Sequence, residues 1–234
     1  KGPLRHDQRH AAAHIKINMI EAGPRILPMF SEKLSAHGKK DLEKLGVTVH
    51  LNTAVKEIKP RSIQVSDGST IASEVTIWAA GVKGEPTGAK LNLPLINTRI
   101  DVENTLQVKH YPHIFAIGDI AGLVGENGRM MPMVAPVAMQ QARHVAKQIK
   151  RLAAGQELKP FKYIDKGSMA TIGRHKAIVE VKKLRLVGIP AWYAWLWLHL
   201  FYLLGGRNKI GTMADWTWNY LTFDRGNRHI MDSL

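Results

Sequence analysis

HIFAIGDIAG, residues His113–Gly122, is a short β-type run, Ile114 to Ile117, that stops abruptly on a glycine and a carboxylate. A strand expected to be buried has little reason to end this way for packing alone. Gly118 removes a side chain at a strand's end, where a ligand could pass close to the backbone. Asp119 can accept from a polyol hydroxyl, and the turn or helix that follows presents N–H groups to phosphate. The same aspartate reads equally well as a cap on the next helix. No GxGxxG motif occurs anywhere in the chain to settle the matter.

Working outward, the N-terminal side holds the run Ile15–Ile20, which ends at Glu21, and a helix over Glu32–Leu45, with Ser31 at its N-cap and Gly46 as its stop. Val47–Leu51 follows as a second strand, which makes a β-α-β unit of a parallel sheet. Ala54–Ile58 and Ser62–Ser66 alternate in polarity, and Asp67-Gly68 before Ile71 marks a tight antiparallel turn. Glu74–Ala79, in EVTIWAAG, is predicted as a further buried strand closing on Gly81, Pro86–Pro94 as a loop, and Arg99–Leu106 as a short β pair around Asn104. After the glycine-rich loop Gly122–Gly128, a helix is predicted from Pro136 or Val137 to about Ala154, stopped by Gly155. Two β-like runs flank Gly173-Arg174.

The chain has 234 residues, 45% hydrophobic, enough for roughly one or two domains. It contains no cysteine, which removes disulfides, thiolate metal sites and cysteine nucleophiles together. No His/Asp/Glu cluster has metal-ligand spacing, so no metal is expected. The net charge of +14 favours anionic partners. Met139–Pro190 carries 12 Lys+Arg against 3 Asp+Glu, but no nucleic-acid-binding motif accompanies it, so nucleic acid is not expected as a partner. Lys1–Lys16 has no apolar stretch of signal-peptide type, and RHDQRHAAAH reads as a polar helix tail or loop.

Several other residues could carry chemistry. An acid at the end of a Rossmann strand, as Glu21 is, can accept from ribose hydroxyls and disfavour a 2′-phosphate; it also reads as a carboxylate closing a strand. Ala80 and Gly81 would let a flat ring approach the backbone, or would simply make a tight turn. Gln140 and Gln141 lie in the first turns of a helix whose N-terminus is partially positive. They could bind a carbonyl ligand without adding charge, or could face solvent. Lys166 could stabilise a developing anion, or be a solvated loop lysine.

Five of the six tryptophans fall between Trp192 and Trp218. Ile189–Leu204, IPAWYAWLWLHLFYLL, would span about 24 Å as a helix, short of a ~30 Å hydrocarbon core. Thr212–Phe223 carries Trp216, Trp218, Tyr220 and Phe223 among polar residues, with Arg207, Lys209, Arg225 and Arg228 placed to meet anionic lipid. A monotopic anchor lying in the membrane interface is expected, with a buried hairpin or a dimer contact as the alternatives.

Five segments in this order, IEAGPRILP, TIWAAGV, TLQVKHYPHIFAIGDIA, VAPVAMQQA and DKGSMATIG, resemble the second half of a type II NADH dehydrogenase, the single-subunit, FAD-containing NADH:quinone oxidoreductase. The resemblance implies an α/β fold: part of a two-Rossmann FAD/NAD-linked reductase with an antiparallel β-meander and a C-terminal membrane-anchoring α+β domain. It implies residues 1–105 as the end of an NADH domain, 106–155 as the end of an FAD domain, and 156–234 as the membrane-anchoring domain, with amphipathic helices over 190–223.

By the same resemblance Glu21 contacts the NADH ribose and Ala80-Gly81 lie at the nicotinamide end. Asp119 holds the ribityl–pyrophosphate region of FAD, with Gly118 beside it counted as cofactor-binding, and the helix near Ala138 points its N-terminus at the flavin. Gln140 and Gln141 fall on the AQxAxQQ quinone motif, and Lys166 matches a lysine near flavin and quinone. The motif's first glutamine is replaced here by Pro136. The resemblance further implies hydride transfer from NADH to FAD, two-electron reduction of a membrane quinone without proton pumping, a homodimer, and a peripheral position on the cytoplasmic face of the inner (plasma) membrane. Both dinucleotide loops are expected to lie in sequence preceding this stretch, which alone is expected to be inactive. The alternatives are a soluble FAD-dependent NAD(P)H reductase acting on ferredoxin or a dithiol, and a non-catalytic membrane-bound module.

Overall fold

A computed structural model describes residues 15–126, 128–203 and 205–222. The expectations for the RHDQRHAAAH stretch and for Phe223, Arg225 and Arg228 lie outside the described residues. The chain divides into two compact units, residues 1–75 with 167–234, and residues 76–166.

The first unit opens with the expected β-α-β. Strand β1 (Ile17–Ile20) pairs in parallel with β2 (Val47–His50), and helix α1 (Glu32–Lys44) makes the crossover. Ser31 occupies the N-cap position, and Gly46 takes φ +87°, a left-handed conformation that suits glycine after a helix end. A meander follows: β3 (Val55–Lys59), β4 (Ser62–Val65) and β5 (Thr70–Ala72), antiparallel throughout. At its second turn Asp67 Oδ1 accepts the Ser69 N–H at 2.8 Å.

The C-terminal portion of this unit is a second antiparallel sheet, β11 (Ser168–Gly173), β12 (Lys176–Val181) and β13 (Leu184–Val187), then helices α4 (Gly188–Tyr202) and α5 (Gly206–Thr222). Phe30, Leu34 and Ile178 form a buried cluster that packs α1 on this sheet. Ala177, Val179 and Ala191 form another beneath α4. The His175 ring, in the β11–β12 turn, lies 2.5 Å through Nε2 from the Tyr220 hydroxyl and packs edge-on to Trp192.

The two sequence-distant parts of this unit are joined by a charged cap. Glu180 Oε2 accepts the Ser31 N–H at 2.7 Å across 149 residues, and Glu180 Oε1 accepts from Arg185 Nε at 2.7 Å. A carboxylate at a helix N-terminus meets both an unpaired donor and the positive end of the dipole. Further along α1, the buried Asp41 faces His37 at 3.3 Å and Lys176 at 4.0 Å.

The second unit holds a short helix α2 (Thr87–Lys90), a small sheet in which β7 (Arg99–Asp101) pairs antiparallel with β6 (Leu95–Ile96) and in parallel with β10 (Ala121–Gly122), the hairpin β8 (Gln107–Val108) and β9 (Tyr111–Phe115), and helix α3 (Ala135–Ala153). Its core gathers Ile100, Val102, Leu106, Val108, Ala116, Ala121, Leu123, Val145 and Phe161. Gly122 is set by close approach: a Cβ there would sit 2.4 Å from Ile96 Cγ2.

Four expectations are corrected. Pro86–Pro94 is not all loop, because Thr87–Lys90 closes one helical turn, α2. Glu74–Ala79 is not a strand; it is extended, irregular chain, with Ile77 85% and Trp78 62% exposed. Among the described residues no strand pairs with it, and a β-type run without a ladder partner leaves its backbone groups to solvent. The strand before Gly118 spans Tyr111–Phe115 rather than 114–117 and is not buried, with Ile114 42% exposed, because among the described residues it pairs only with the two-residue β8. Arg99–Leu106 is not a self-contained β pair. Arg99–Asp101 joins the other sheet, and the turn at Asn104 is closed by Glu103 N–H donating to Gln107 O at 2.8 Å.

The Ser31 N–H, and then Arg185, hold the Glu180 carboxyl below the usual carboxylate range. A carboxyl that titrates lower when folded stabilises above its unfolded pKa, and that contribution is lost as pH falls through the folded value. Glu180→Gln is therefore expected to lower the denaturant midpoint at neutral pH and to converge with the parent in strong acid. A gap that stays constant across an acid titration of the unfolding midpoint contradicts the cap.

Candidate functional site

The candidate site in the second unit is built on one turn and one helix. At the turn, Gly118–Ile120 forms a single 3₁₀ turn, entered from the extended Ile117. Gly118 has φ +72°, so an L side chain there is strained whatever the space. A Cβ on Gly118 would lie 3.5 Å from Ala138 Cβ, an ordinary contact that shows how closely the start of α3 abuts the turn. Asp119 projects from the same turn and is exposed.

Helix α3 begins after the extended Val134, with Pro136 in the first turn, where a missing N–H breaks no helical bond. Its inward face is Val137, Gln141, Val145 and Gln148. Gln141 is 0% exposed, and its Oε1 accepts the Gly118 N–H at 2.6 Å. Its Nε2 is buried and finds no acceptor among the described residues. One amide thus fastens the helix start to the strand-end turn.

Gln140, one residue earlier and about 100° around the helix, does something different. Its Nε2 donates to Ile164 O and its Oε1 accepts the Ile164 N–H, both at 3.0 Å. Both polar atoms of this amide are used on one backbone residue. Lys166, two residues on, is exposed.

Beneath the turn sits Arg99, 3% exposed. Its Nη1 donates to Met131 O at 2.8 Å, while Nε and Nη2 have no acceptor among the described residues. Burial pulls its pKa down from the ordinary arginine value, and the Asp119 carboxylate acts in the opposite sense. The turn therefore pairs an exposed anion with a buried cation.

Ala80 and Gly81 are exposed, Gly81 at φ +80° with nothing within 4 Å of where a Cβ would stand. Trp78 Nε1 donates to Ala80 O at 3.1 Å. In the first unit Glu21 follows β1, and its Oε1 accepts the Gly23 N–H at 2.7 Å, shaping the loop into Pro24.

The family comparisons bear on this geometry. Residues 8–142 match the pyridine nucleotide-disulphide oxidoreductase family, and residues 166–225 match the NDH2 C-terminal domain. The chain belongs to the pyridine nucleotide-disulphide oxidoreductases. The second match places it with the members that carry an NDH2 C-terminal domain. It is 36% identical to the type II NADH:quinone oxidoreductase NdhA of Mycobacterium tuberculosis over 94% of its own length and 48% of that protein. It is 30% identical to the mitochondrial internal alternative NAD(P)H-ubiquinone oxidoreductase A1 of Solanum tuberosum, over 88% of the chain and 45% of that protein. The chain thus spans about half the length of the curated relatives it matches. In fold it is similar to NDH2 from Plasmodium falciparum, solved in complex with NADH, with TM-score 0.83 at 18% identity, covering 93% of this chain and 60% of that one.

Within this family fold, the sequence pointed to the turn and to the helix start, and the structure brings Gly118, Asp119, Ala138 and Gln141 together there. Sequence reading missed Arg99. A lone arginine opening a β run carries no local sign of burial, because the contacts that bury it come from residues about 20–30 positions away. It also missed His144, Gln148 and Arg151, whose spacing with Gln140 could have revealed a polar stripe on α3.

If Gly118 is required for its backbone rather than for space, Gly118→Ala is expected to cost about 1–2 kcal/mol from the left-handed φ alone. Adding Ala138→Gly, which removes the one neighbour beyond the adjacent residues within 4 Å of that Cβ among the described residues, is then expected to recover none of it. A thermal melt in which the double variant regains the parent midpoint contradicts this and points to crowding.

Proposed function

We propose that the natural protein carrying this sequence is a flavin-dependent NADH:quinone oxidoreductase seated on a membrane surface. The observation that carries this reading is the turn at Gly118–Asp119, locked by Gln141 to the start of α3, in a chain whose residues 166–225 match the NDH2 C-terminal domain. When bound, FAD would relay two electrons between the nicotinamide and a quinone. The residues present fit such a group. Gly118 leaves bare backbone at the turn, Asp119 is an exposed acceptor suited to a polyol, and Arg99 holds buried donors behind it that have no acceptor among the described residues.

Each remaining role follows from chemistry this chain carries. The N-terminus of α3, near Ala138, sets a partial positive charge at the turn and favours an electron-rich group there. Glu21 closes β1 with a carboxylate that can accept from ribose hydroxyls and would repel a 2′-phosphate. Ala80 and Gly81 present backbone without bulk for a flat ring, and Lys166 brings an exposed positive charge. Gln141 orients the turn. By ligand, residues 1–105 serve NADH, 106–155 serve FAD and 156–234 serve the membrane.

Attachment is read from the last two helices. No helix among the described residues is long and apolar enough to cross a membrane. The 15 residues of α4 extend about 23 Å, against a hydrocarbon core of about 30 Å. Yet Trp197, Phe201, Ile210, Met213, Trp218 and Leu221 are all exposed, and Arg207 and Lys209 lie in the same segment. Indoles and basic residues together suit the headgroup region. The reading includes a homodimer on the cytoplasmic face of the inner (plasma) membrane.

The purified natural protein is expected to show a flavin spectrum that NADH bleaches and a ubiquinone analogue restores. It is expected to float with anionic vesicles, and to lose that behaviour when residues 188–222 are deleted. A flavin reoxidised by ferredoxin but not by quinone, or equal flotation with and without those residues, contradicts the reading.

A further inference from the structure

Helices α4 and α5 meet the β11–β12 turn around a cleft. Arg174 of the turn, Trp195 and Leu196 of α4, and Trp216 and Tyr220 of α5 line a cavity of about 260 Å³. All of them lie in the stretch that matches the NDH2 C-terminal domain. Trp195 and Trp216 have ring centroids 6.5 Å apart and planes 29° from parallel. Among the described residues that line the cleft, Arg174 is the charged one. Its Cζ lies 4.4 Å from the Tyr220 ring centroid, and its Nη2 donates to Tyr220 O. The Tyr220 hydroxyl is itself tied to His175 Nε2 at 2.5 Å. A planar guanidinium is thus held at a fixed place on an otherwise apolar and aromatic wall.

This lining narrows the choice of ligand. The volume falls below the roughly 300 Å³ at which pockets for drug-sized molecules begin, so a dinucleotide does not fit. A cation would meet only ring faces beside a positive charge. A neutral molecule makes no use of that charge. An anion with an apolar chain uses both parts of the wall: phosphate suits the arginine fork, and methylenes suit indole and leucine surfaces. A phospholipid carries the two joined. Its source adjoins the cleft, because Trp197 and Phe201 of α4 and Leu221 of α5 are exposed on the same helices. A basic recess between helices at a bilayer is a recurrent form of anionic-lipid site.

We propose that the cleft between α4 and α5 holds one anionic phospholipid, its phosphate against Arg174 and the first methylenes of an acyl chain against Trp195, Leu196 and Trp216. The inference rests on the membrane-seated reading for its setting, and on the lining of the cleft for its chemistry. Such a site differs from general adhesion of the two helices to a bilayer. Adhesion needs the bilayer, whereas a built site keeps its lipid when the bilayer has been removed.

The test uses the full natural protein in detergent, loaded with phosphatidylglycerol or phosphatidylcholine, with retained lipid counted by native mass spectrometry. The parent is expected to keep one phosphatidylglycerol per chain and to lose phosphatidylcholine. Arg174→Gln removes the charge, and Leu196→Trp fills the cleft while leaving the charge. Each is expected to cut retention about tenfold, the worth of one charge-assisted hydrogen bond or a few buried methylenes. Lys183→Gln makes the same charge change on the exposed β12–β13 turn and is expected to retain lipid as the parent does. Leu196→Trp keeps the contacts between Arg174 and Tyr220, so it decides the matter should Arg174→Gln loosen α5. A parent that retains no phosphatidylglycerol, retains phosphatidylcholine equally, or takes a ubiquinone analogue in its place overturns the proposal. So do cleft variants that retain as much as Lys183→Gln. A parent that fails to float on vesicles defeats the membrane reading alone; retention in detergent, where no bilayer is present, still decides the site.

Discussion

A single buried amide organises the second unit. Gln141 has no exposed surface, and it spends its oxygen on the Gly118 N–H. Burying a primary amide among Val137, Val145 and their neighbours is costly unless it is bonded. The bond it does make crosses from the helix to the strand-end turn, so the cost is offset only when helix and turn meet in one arrangement. That requirement brings the partially positive start of α3 to a turn where the backbone is stripped to glycine and followed by a carboxylate. Arg99 behind the turn adds a second constraint of the same kind, a buried cation whose electrostatic partner, Asp119, is at the surface.

The first unit is closed by a different device. Its early and late parts are far apart in sequence, and Glu180 ties them by capping α1 through Ser31. The cap lies beside the Phe30, Leu34 and Ile178 cluster, so apolar packing and a charge-assisted bond act on the same contact. The loop that carries Glu21 leads through Pro24 and Phe30 into that helix. The sheet that supports α4 and its exposed Trp197 is therefore the sheet that steadies the element after Glu21.

Much of this was legible in the sequence. The β-α-β unit, the meander turn at Asp67-Gly68, the limits of α3 and the hairpin at Gly173-Arg174 all follow from local rules: periodicity, caps and turn residues. What escaped depended on distant partners. EVTIWAAG has the composition of a buried strand, but a strand exists only where a ladder partner exists, and period-two patterning cannot report one. Gln140 and Gln141 read as a matched pair because they are adjacent, yet adjacent helical positions face different neighbours. Local patterns likewise carry no sign of a carboxylate capping a helix 149 residues away.

The central claim is that Gln141 joins the start of α3 to the Gly118 turn and so shapes the place where, on the proposed function, a flavin would rest. The most direct measurement is amide exchange at Gly118, together with flavin content, in the natural protein carrying Gln141→Leu, a substitution of similar volume that cannot accept a hydrogen bond. The expected result is a Gly118 N–H that exchanges much faster than in the parent, with flavin lost on purification. A Gly118 amide that stays protected while flavin content is unchanged would contradict the claim.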